Sequence, residues 1–325
     1  MITAQPVLRT ISVPTPFAVG NVNLYLLEGT PLTLLDVGPN TPEAYEALEM
    51  GLKQYGYQIS DIEQIILSHH HTDHIGLVER IARIADAPIV THPYTKPFIE
   101  TPQEARLRHD AFFRQICAEA NVPHEMLSTI ERTNAWILRF SNLPIPVART
   151  IDEGDTILAG DTKWHVYHTP GHAGDLICLY DPTSGTLLAS DHLILKISSN
   201  PVIEPSPNES GTRPRRLLEY IHHMKRIAEL HPQIAYSGHG RPIQDVMSLV
   251  ETRIAHHRAR AEKIYTYFSD GPAHLWDITE RMYGHISQSE KFLALSEVLG
   301  HIDLLEAEGR LVREYYQSVV YWHQA

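Results

Sequence analysis

Short apolar runs broken by turn residues dominate the first ninety positions. Asn23-Leu24-Tyr25-Leu26-Leu27 and Leu32-Thr33-Leu34-Leu35 read as neighbouring strands on either side of Glu28-Gly29-Thr30-Pro31. Ala44, Leu48, Leu52 and Tyr55 recur at helical spacing and stop at Gly56. Ile65-Ile66-Leu67 reads as a short buried strand, and Gly76 to Ala85 is helical again. This β-β-α-β-α order predicts a mixed sheet covered by helices. From Pro97 to Phe140 the spacing is helical throughout. Ala105, Phe112, Phe113, Ile116 and Ala120 form one apolar stripe, and Met126, Ile130, Trp136 and Ile137 belong to a second segment. An insert in this position is expected to act as a lid, with Phe112, Phe113 or Trp136 helping to line a pocket.

Strand patterns return at Trp164-His165-Val166-Tyr167-His168, Leu176 to Tyr180 and Leu187-Leu188-Ala189. Ser198 to Pro214 is rich in Ser, Pro and Asn and reads as a loop. A helix over Arg215 to Leu230, a strand at Ile234-Ala235-Tyr236 and a long helix ending near Phe268 follow. After Gly271-Pro272 the tail shows two helices, near Leu275–Tyr283 and Phe292–Glu308, then Leu311-Val312-Arg313 and Val319-Val320-Tyr321. Two helices followed by two short strands form a winged-helix pattern. The expected division is a catalytic domain over 1–245, with the 97–140 insert, and a helical C-terminal domain over 246–325.

Composition narrows the function. A chain of 325 residues with 43% hydrophobic and 20% charged residues is ordinary globular material, and no run approaches the roughly 18 apolar residues of a membrane helix. Met1 to Pro6 lacks a basic head and apolar run, so a cytoplasmic location is expected. The net charge of −12 opposes binding to a phosphate backbone, and no nucleic-acid partner is expected. Cys117 and Cys178 are too few for a disulfide framework and read as buried thiols. The 21 histidines are the unusual feature, because neutral imidazole is the commonest metal ligand.

Their placement is more telling than their number. Ser68-His69-His70-His71-Thr72-Asp73-His74-Ile75-Gly76 follows directly on the strand Ile65–Leu67, so a tight loop can turn His69, His71, Asp73 and His74 toward one point. Imidazoles and a carboxylate suit zinc or a similar ion. Thr169-Pro170-Gly171-His172-Ala173-Gly174-Asp175, Ala189-Ser190-Asp191-His192 and Ser237-Gly238-His239-Gly240 each end or follow a strand. Each offers one potential ligand beside a small residue that permits close backbone approach. His70 faces away from its neighbours by alternation, so its loss is expected to be silent. His222-His223 and His256-His257 are read onto solvated helix faces or pocket rims, and His192 onto the surroundings of Asp191.

With these residues in this order, the chain resembles the metallo-β-lactamase superfamily from about Val19 to Arg241. The resemblance implies an α/β architecture, the αββα sandwich, with metals at one edge of the paired sheets. It places His69, His71 and His172 on a first metal, Asp73, His74 and His239 on a second, and Asp191 between them. Asp73 and Asp191 take the catalytic roles, and Asp36, in Leu34-Leu35-Asp36-Val37-Gly38, braces the ligand loop. Histidine at 71 rather than glutamate departs from the diiron, oxygen-reducing branch. Two Zn2+ ions are therefore the expected cofactor, with iron or manganese as alternatives.

The tail, through His256-His257-Arg258-Ala259-Arg260 and Leu295 to Leu311, is similar to that of the β-lactamase-like protein 2 group. The expected activity is hydrolysis of a small thioester or ester, glyoxalase II-like, by a metal-bound hydroxide. The alternatives are lactone hydrolysis, metal-dependent RNA cleavage and non-catalytic binding. Ile194 stands where acyl-homoserine lactonases of this superfamily often place a tyrosine, and Asp303, Glu306 and Glu308 make the would-be recognition helix acidic. The tail is expected to pack on the catalytic domain or on a second copy of the chain. A small-molecule substrate, no membrane and a possible homo-oligomer complete the expectations.

Overall fold

The computed structural model describes residues 6–141, 144–207 and 212–325. Part of the expected loop, residues 208–211, and most of the terminal segment read for a leader lie outside them. The chain begins with β1 (Leu8–Val13), β2 (Val22–Leu27), β3 (Thr33–Leu35), α1 (Pro42–Gln54) and β4 (Gln64–Leu67). After α2 (Thr72–Ile75), α3 (Val78–Ala85) and β5 (Ile89–Thr91) come the helices of the insert, α4 (Lys96–Glu100), α5 (Pro102–Glu119) and α6 (His124–Ile137). β6 (Arg149–Thr150) completes a sheet in the order β1-β2-β3-β4-β5-β6, antiparallel to β3 and parallel beyond it.

A second sheet follows from β7 (Thr156–Ala159), β8 (Thr162–His168), β9 (Ile177–Asp181) and β10 (Thr186–Ser190). After α7 (Arg216–Ala228), β11 (Ile234–Ser237) joins β10 in parallel, giving the order β11-β10-β9-β8-β7. The tail is α8 (Val246–Thr266), β12 (Ala273–His274), α9 (Leu275–Tyr283), α10 (Lys291–Ala307) and the hairpin β13 (Leu311–Tyr316) and β14 (Val319–Gln324). Its three strands pair antiparallel in the order β12-β14-β13.

Side-chain alternation explains why the two sheets stack. Along β2 and β4, Tyr25, Leu27 and Ile66 point inward and meet Trp164, Val166, Leu179 and Leu188 of the second sheet. Leu24, Leu26, Ile65 and Leu67 point the other way, onto Ala44, Leu48 and Leu52 of α1 and Val78 and Ile81 of α3. In β9 and β10, Cys178, Leu187 and Ala189 face outward onto α7, α8 and α10. Opposite faces of each strand are thus both buried, which yields helix–sheet–sheet–helix layering.

The outer layer of the second sheet is continuous with the tail. Phe113 and Ile116 of α5, Leu217 and Met224 of α7, Ile264 of α8 and Leu295, Val298 and Ile302 of α10 share one apolar cluster. α10 is buried almost all round, from Ala294 to Leu305. Its acids are consumed internally: Asp303 receives two bonds from Arg213 at 2.5 and 2.7 Å, and Glu306 one from Arg215 at 2.5 Å. A helix in that position has no free face to enter a nucleic-acid groove. No helix among the described residues is long and apolar enough to cross a membrane.

Candidate metal centre

The ligand loop starts where β4 ends, and Asp36 sits where the adjacent β3 ends. Asp36 adopts φ 60°, a left-handed conformation uncommon outside glycine but tolerated by aspartate. That turn aims its carboxylate at the loop. Oδ1 accepts the Ser68 amide at 2.8 Å; Oδ2 accepts the Ser68 hydroxyl at 2.7 Å and His74 Nδ1 at 2.8 Å. With its proton given to Asp36, Ser68 Oγ can only accept from His69 Nδ1, 3.0 Å away. On the second sheet the β10–β11 register shifts between Leu188 and Ser190, which re-aims the backbone at Asp191. Gly238 passes so close that a Cβ there would lie 2.0 Å from Asp191 Oδ1.

The other histidines are oriented by main-chain carbonyls. His172 Nδ1 donates to Asn200 O at 3.0 Å and His239 Nδ1 to Asn21 O at 2.7 Å. Four rings (His69, His74, His172 and His239) therefore commit Nδ1 as donor and turn Nε2 toward one region, the orientation metal ligands need. There His71 Nδ1 stands 3.1 Å from His69 Nε2 and 2.9 Å from His172 Nε2. Asp191 Oδ2 is 3.5 Å from His172 Nε2 and 3.4 Å from His239 Nε2, while Oδ1 is 3.5 Å from His74 Nε2. Asp73 Oδ2 is 3.4 Å from His239 Nε2 and 4.0 Å from His74 Nε2.

These separations fit a metal. Ligands about 2.0–2.1 Å from a tetrahedral zinc stand roughly 3.3 Å apart, near the middle of the observed spread. The buried atoms His74 Nε2, His239 Nε2 and Asp191 Oδ1 have no hydrogen-bond partner, as expected of atoms shaped to face a cation. The field is divided. Burial, reinforced by neighbouring imidazoles, holds His69 and His71 well below the usual range, and burial also lowers His172. They are neutral rings ready to coordinate. His239 is buried too, but Asp191 and Asp73 outweigh burial and push it up to about 10. Burial opposes ionisation of Asp191, yet His74 and His239 keep it well below the usual carboxylate range. A surface hollow of about 520 Å³ between α1 and α3 contains Glu46, Glu49 and Arg80 but no such convergence.

The structure thus brings together all seven residues expected at the metals, and Asp36 behind them. Two histidine readings change in the structure. His70 does face away from the centre, but into protein: its ring stacks on Phe98 at 3.8 Å, and Nδ1 lies 2.9 Å from Asp175 Oδ1. Reading alternation gave its direction and not what waited there. His257 is buried rather than solvated, because α8 packs between the catalytic core and α10. Its Nδ1 faces His301 Nε2 at 3.2 Å and its Nε2 the Ser198 hydroxyl at 3.0 Å. Of the three aromatics named as alternatives for the pocket wall, Phe113 packs edge-on against Phe292 at 5.0 Å inside the core. Ser68, Asn21 and Asn200 were missed. Ser68, adjoining the motif, was open to inference; main-chain carbonyls leave no mark in a sequence.

A double-sheet frame carrying a His/Asp cluster at one seam defines a class of protein. The sequence profile of the metallo-beta-lactamase superfamily matches residues 18–239, and the chain belongs to that superfamily of metal-dependent hydrolases. Among curated relatives, the probable metallo-hydrolase YqjP of Bacillus subtilis (strain 168) is 35% identical over 312 residues, 96% of either chain. A beta-lactamase-like protein 2 homolog of Drosophila melanogaster is 24% identical over 304 residues, 92% of this chain and 86% of the other. Among solved structures, a metallo-beta-lactamase family protein from Thermus thermophilus matches with a TM-score of 0.81 at 27% identity, over 98% of both chains.

Proposed function

We propose that the protein hydrolyses a small thioester or ester at a dinuclear metal centre, a glyoxalase II-like reaction. The observation that carries this reading is Asp191: one carboxylate reaches His172 on one side and His74 and His239 on the other. In this reading His69, His71 and His172 hold the first cation, Asp73, His74 and His239 the second, and Asp191 joins them. When bound, two divalent cations supply a water acidic enough to ionise near neutral pH and polarise the carbonyl under attack. Zinc suits the imidazole-rich first half, with iron or manganese as the alternatives.

The chain's own groups supply the rest. Asp73, on the first turn of α2, presents a buried carboxylate at the centre; burial opposes its ionisation, but His74 and His239 hold it below the usual carboxylate range, which suits a ligand of the second cation. Neither cysteine competes as a nucleophile: burial pushes both the Cys117 and Cys178 thiols up to about 12, so neither ionises at neutral pH. The insert is assigned the part of a lid. Phe98 of α4 lies against His70, and Trp136 and Phe140 pack edge-on with Phe17, whose loop leads to the Asn21 carbonyl that orients His239. With Leu195 and Ile197 exposed in the loop after Asp191, the approaches are apolar and suit an acyl or aryl group better than a polyanion.

Two alternatives are weakened by specific residues. Ile194 is buried with its carbonyl held by Arg253, so no phenol stands at the position typical of lactonases. α10 is enclosed, which argues against nucleic-acid recognition by the tail. The test is a metal-reconstituted chain assayed on acyl thioesters, aryl esters, lactones and RNA. Ester or thioester turnover that is lost on chelation and restored by zinc is expected. Metal-dependent RNA cleavage without ester turnover would overturn the reading, and a stoichiometry that stays at one metal per chain would remove its dinuclear part.

A further inference from the structure

Outside the centre, a connected group of buried charges lies directly behind its first half. His70 stands between His69 and His71 in the chain. Its Nδ1 lies 2.9 Å from Asp175 Oδ1 and its Nε2 3.5 Å from Glu204 Oε1, so both ring nitrogens face carboxylates. The other Asp175 oxygen accepts the Thr95 hydroxyl at 2.7 Å. Glu204 Oε2 accepts the Gly174 amide at 2.7 Å and lies 3.2 Å from Arg216, itself bonded to Glu219 at 2.7 Å. Gly174 is required here, since a Cβ would fall 2.2 Å from Arg216 Nη2 and 2.9 Å from Glu204 Oε2. Phe98, stacked on His70 at 14° between planes, closes the cluster on one side.

The chain positions of these groups give the cluster its meaning. His70 sits in the backbone that carries His69 and His71. Gly174 and Asp175 lie two and three residues after His172. Glu204 lies four residues after Asn200, whose carbonyl fixes the His172 ring. One knot therefore ties the three stretches of chain that set the His69, His71 and His172 rings. The other half of the centre has its own anchors: His74 is held by Asp36, which through Ser68 also reaches His69, and His239 by Asn21. Among the described residues, no bond joins the knot to those anchors directly.

We infer that His70, Asp175 and Glu204 are positioning residues for the first-metal half alone. This rests on the reading that His69, His71 and His172 bind a metal. The knot could itself be a cation site, since His70, His71 and Glu204 present ligand atoms close together. The Arg216 guanidinium already pairs with the other oxygen of the Glu204 carboxylate, at 3.2 Å from Oε2, and its charge opposes a second cation there.

The experiment is zinc titration of the metal-free full-length chain against a chromophoric chelator, with the cobalt-substituted visible spectrum as a second readout. The wild type is expected to take two ions. His70→Ala should keep one tight site and weaken the other about 10–100-fold, the usual cost of losing a ligand's supporting contact. His70→Asn, which keeps an N–H able to reach Asp175, should recover part of that loss. Thr95→Val, removed from the ligand loop, should shift the same site less, and it carries the test if His70→Ala does not fold. Two wild-type affinities in these variants would overturn the inference. So would equal weakening of both sites, unrescued by asparagine, or a third zinc lost with His70. A wild type that takes up no metal would instead sink the ligand reading itself.

Discussion

Asp191 is the residue on which both halves of the centre converge, and its backbone is placed by the irregular end of β10 rather than by packing of its side chain. Asp191→Ala should therefore abolish turnover and cut metal content while leaving the far-ultraviolet spectrum and melting behaviour of the metal-free chain close to wild type. A variant that keeps more than a tenth of the activity would show that the bridge is misassigned. Residues of this kind were legible because their spacing is local: His69 to His74 converge from one loop, and His172, Asp191 and His239 each end or follow a strand. His70 and Glu204 were not legible as partners. They are 134 positions apart, the difference between 204 and 70, and only the fold brings them together.

At the scale of elements, long periodic segments were readable and short ones were not. Helices α1, α7, α8 and α10 lie close to the expected spans because each buries a sustained apolar face. β1, β5, β6 and β7 were missed: β5 and β6 have three and two residues, whereas β1 carries the polar–apolar alternation of a half-buried strand and was passed over. α8 and α10 hold a buried histidine pair with a testable consequence. Burial, with the neighbouring His301, lowers His257 to about 3, and burial also lowers His301. In the unfolded chain these rings titrate near 6.5, so below that pH the unfolded state binds protons that the fold refuses. Stability should fall as the pH drops through 6.5, by up to about 1.4 kcal/mol per pH unit for each ring. Urea midpoints at pH 7.5 and 5.5 test this; a His257→Gln variant should lose less than the wild type over that interval. An unchanged midpoint in the wild type would refute the assignment.

For the whole molecule, the apolar cluster that spans α5, α7, α8 and α10 makes the tail part of the catalytic body. Deleting 271–325 would expose Leu217 and Met224 and strand Arg213 and Arg215, so solubility and turnover should fall together. A soluble, active truncation would contradict that packing. Arg213→Ala, which leaves Asp303 buried without its partner, should cost on the order of 3 kcal/mol by denaturant unfolding. Because α10 has no free face and the chain carries a net charge of −12, binding to duplex or single-stranded nucleic acid at about 50 mM salt should be weak.

The seam between the sheets has one more consequence. In the proposed reading, the first-metal half joins His71, from the loop after β4, to His172, 101 residues further on in the loop between β8 and β9. The second-metal half joins Asp73 and His74 to His239 in the same way. An ion in either place is a cross-link through the sandwich, in a chain whose two thiols, Cys117 and Cys178, are buried and unpaired. Closing a loop of that length by a covalent bridge would restrict the unfolded chain by about 4–5 kcal/mol. A coordinated ion that stays on the native state alone restrains the sheets in the same sense, to a degree set by its affinity and concentration. Chelation should thus lower the melting temperature, in addition to abolishing turnover, and scanning calorimetry with and without zinc measures that change directly. In the proposed reading the reactive centre would then double as the fastening that keeps the two sheets from parting.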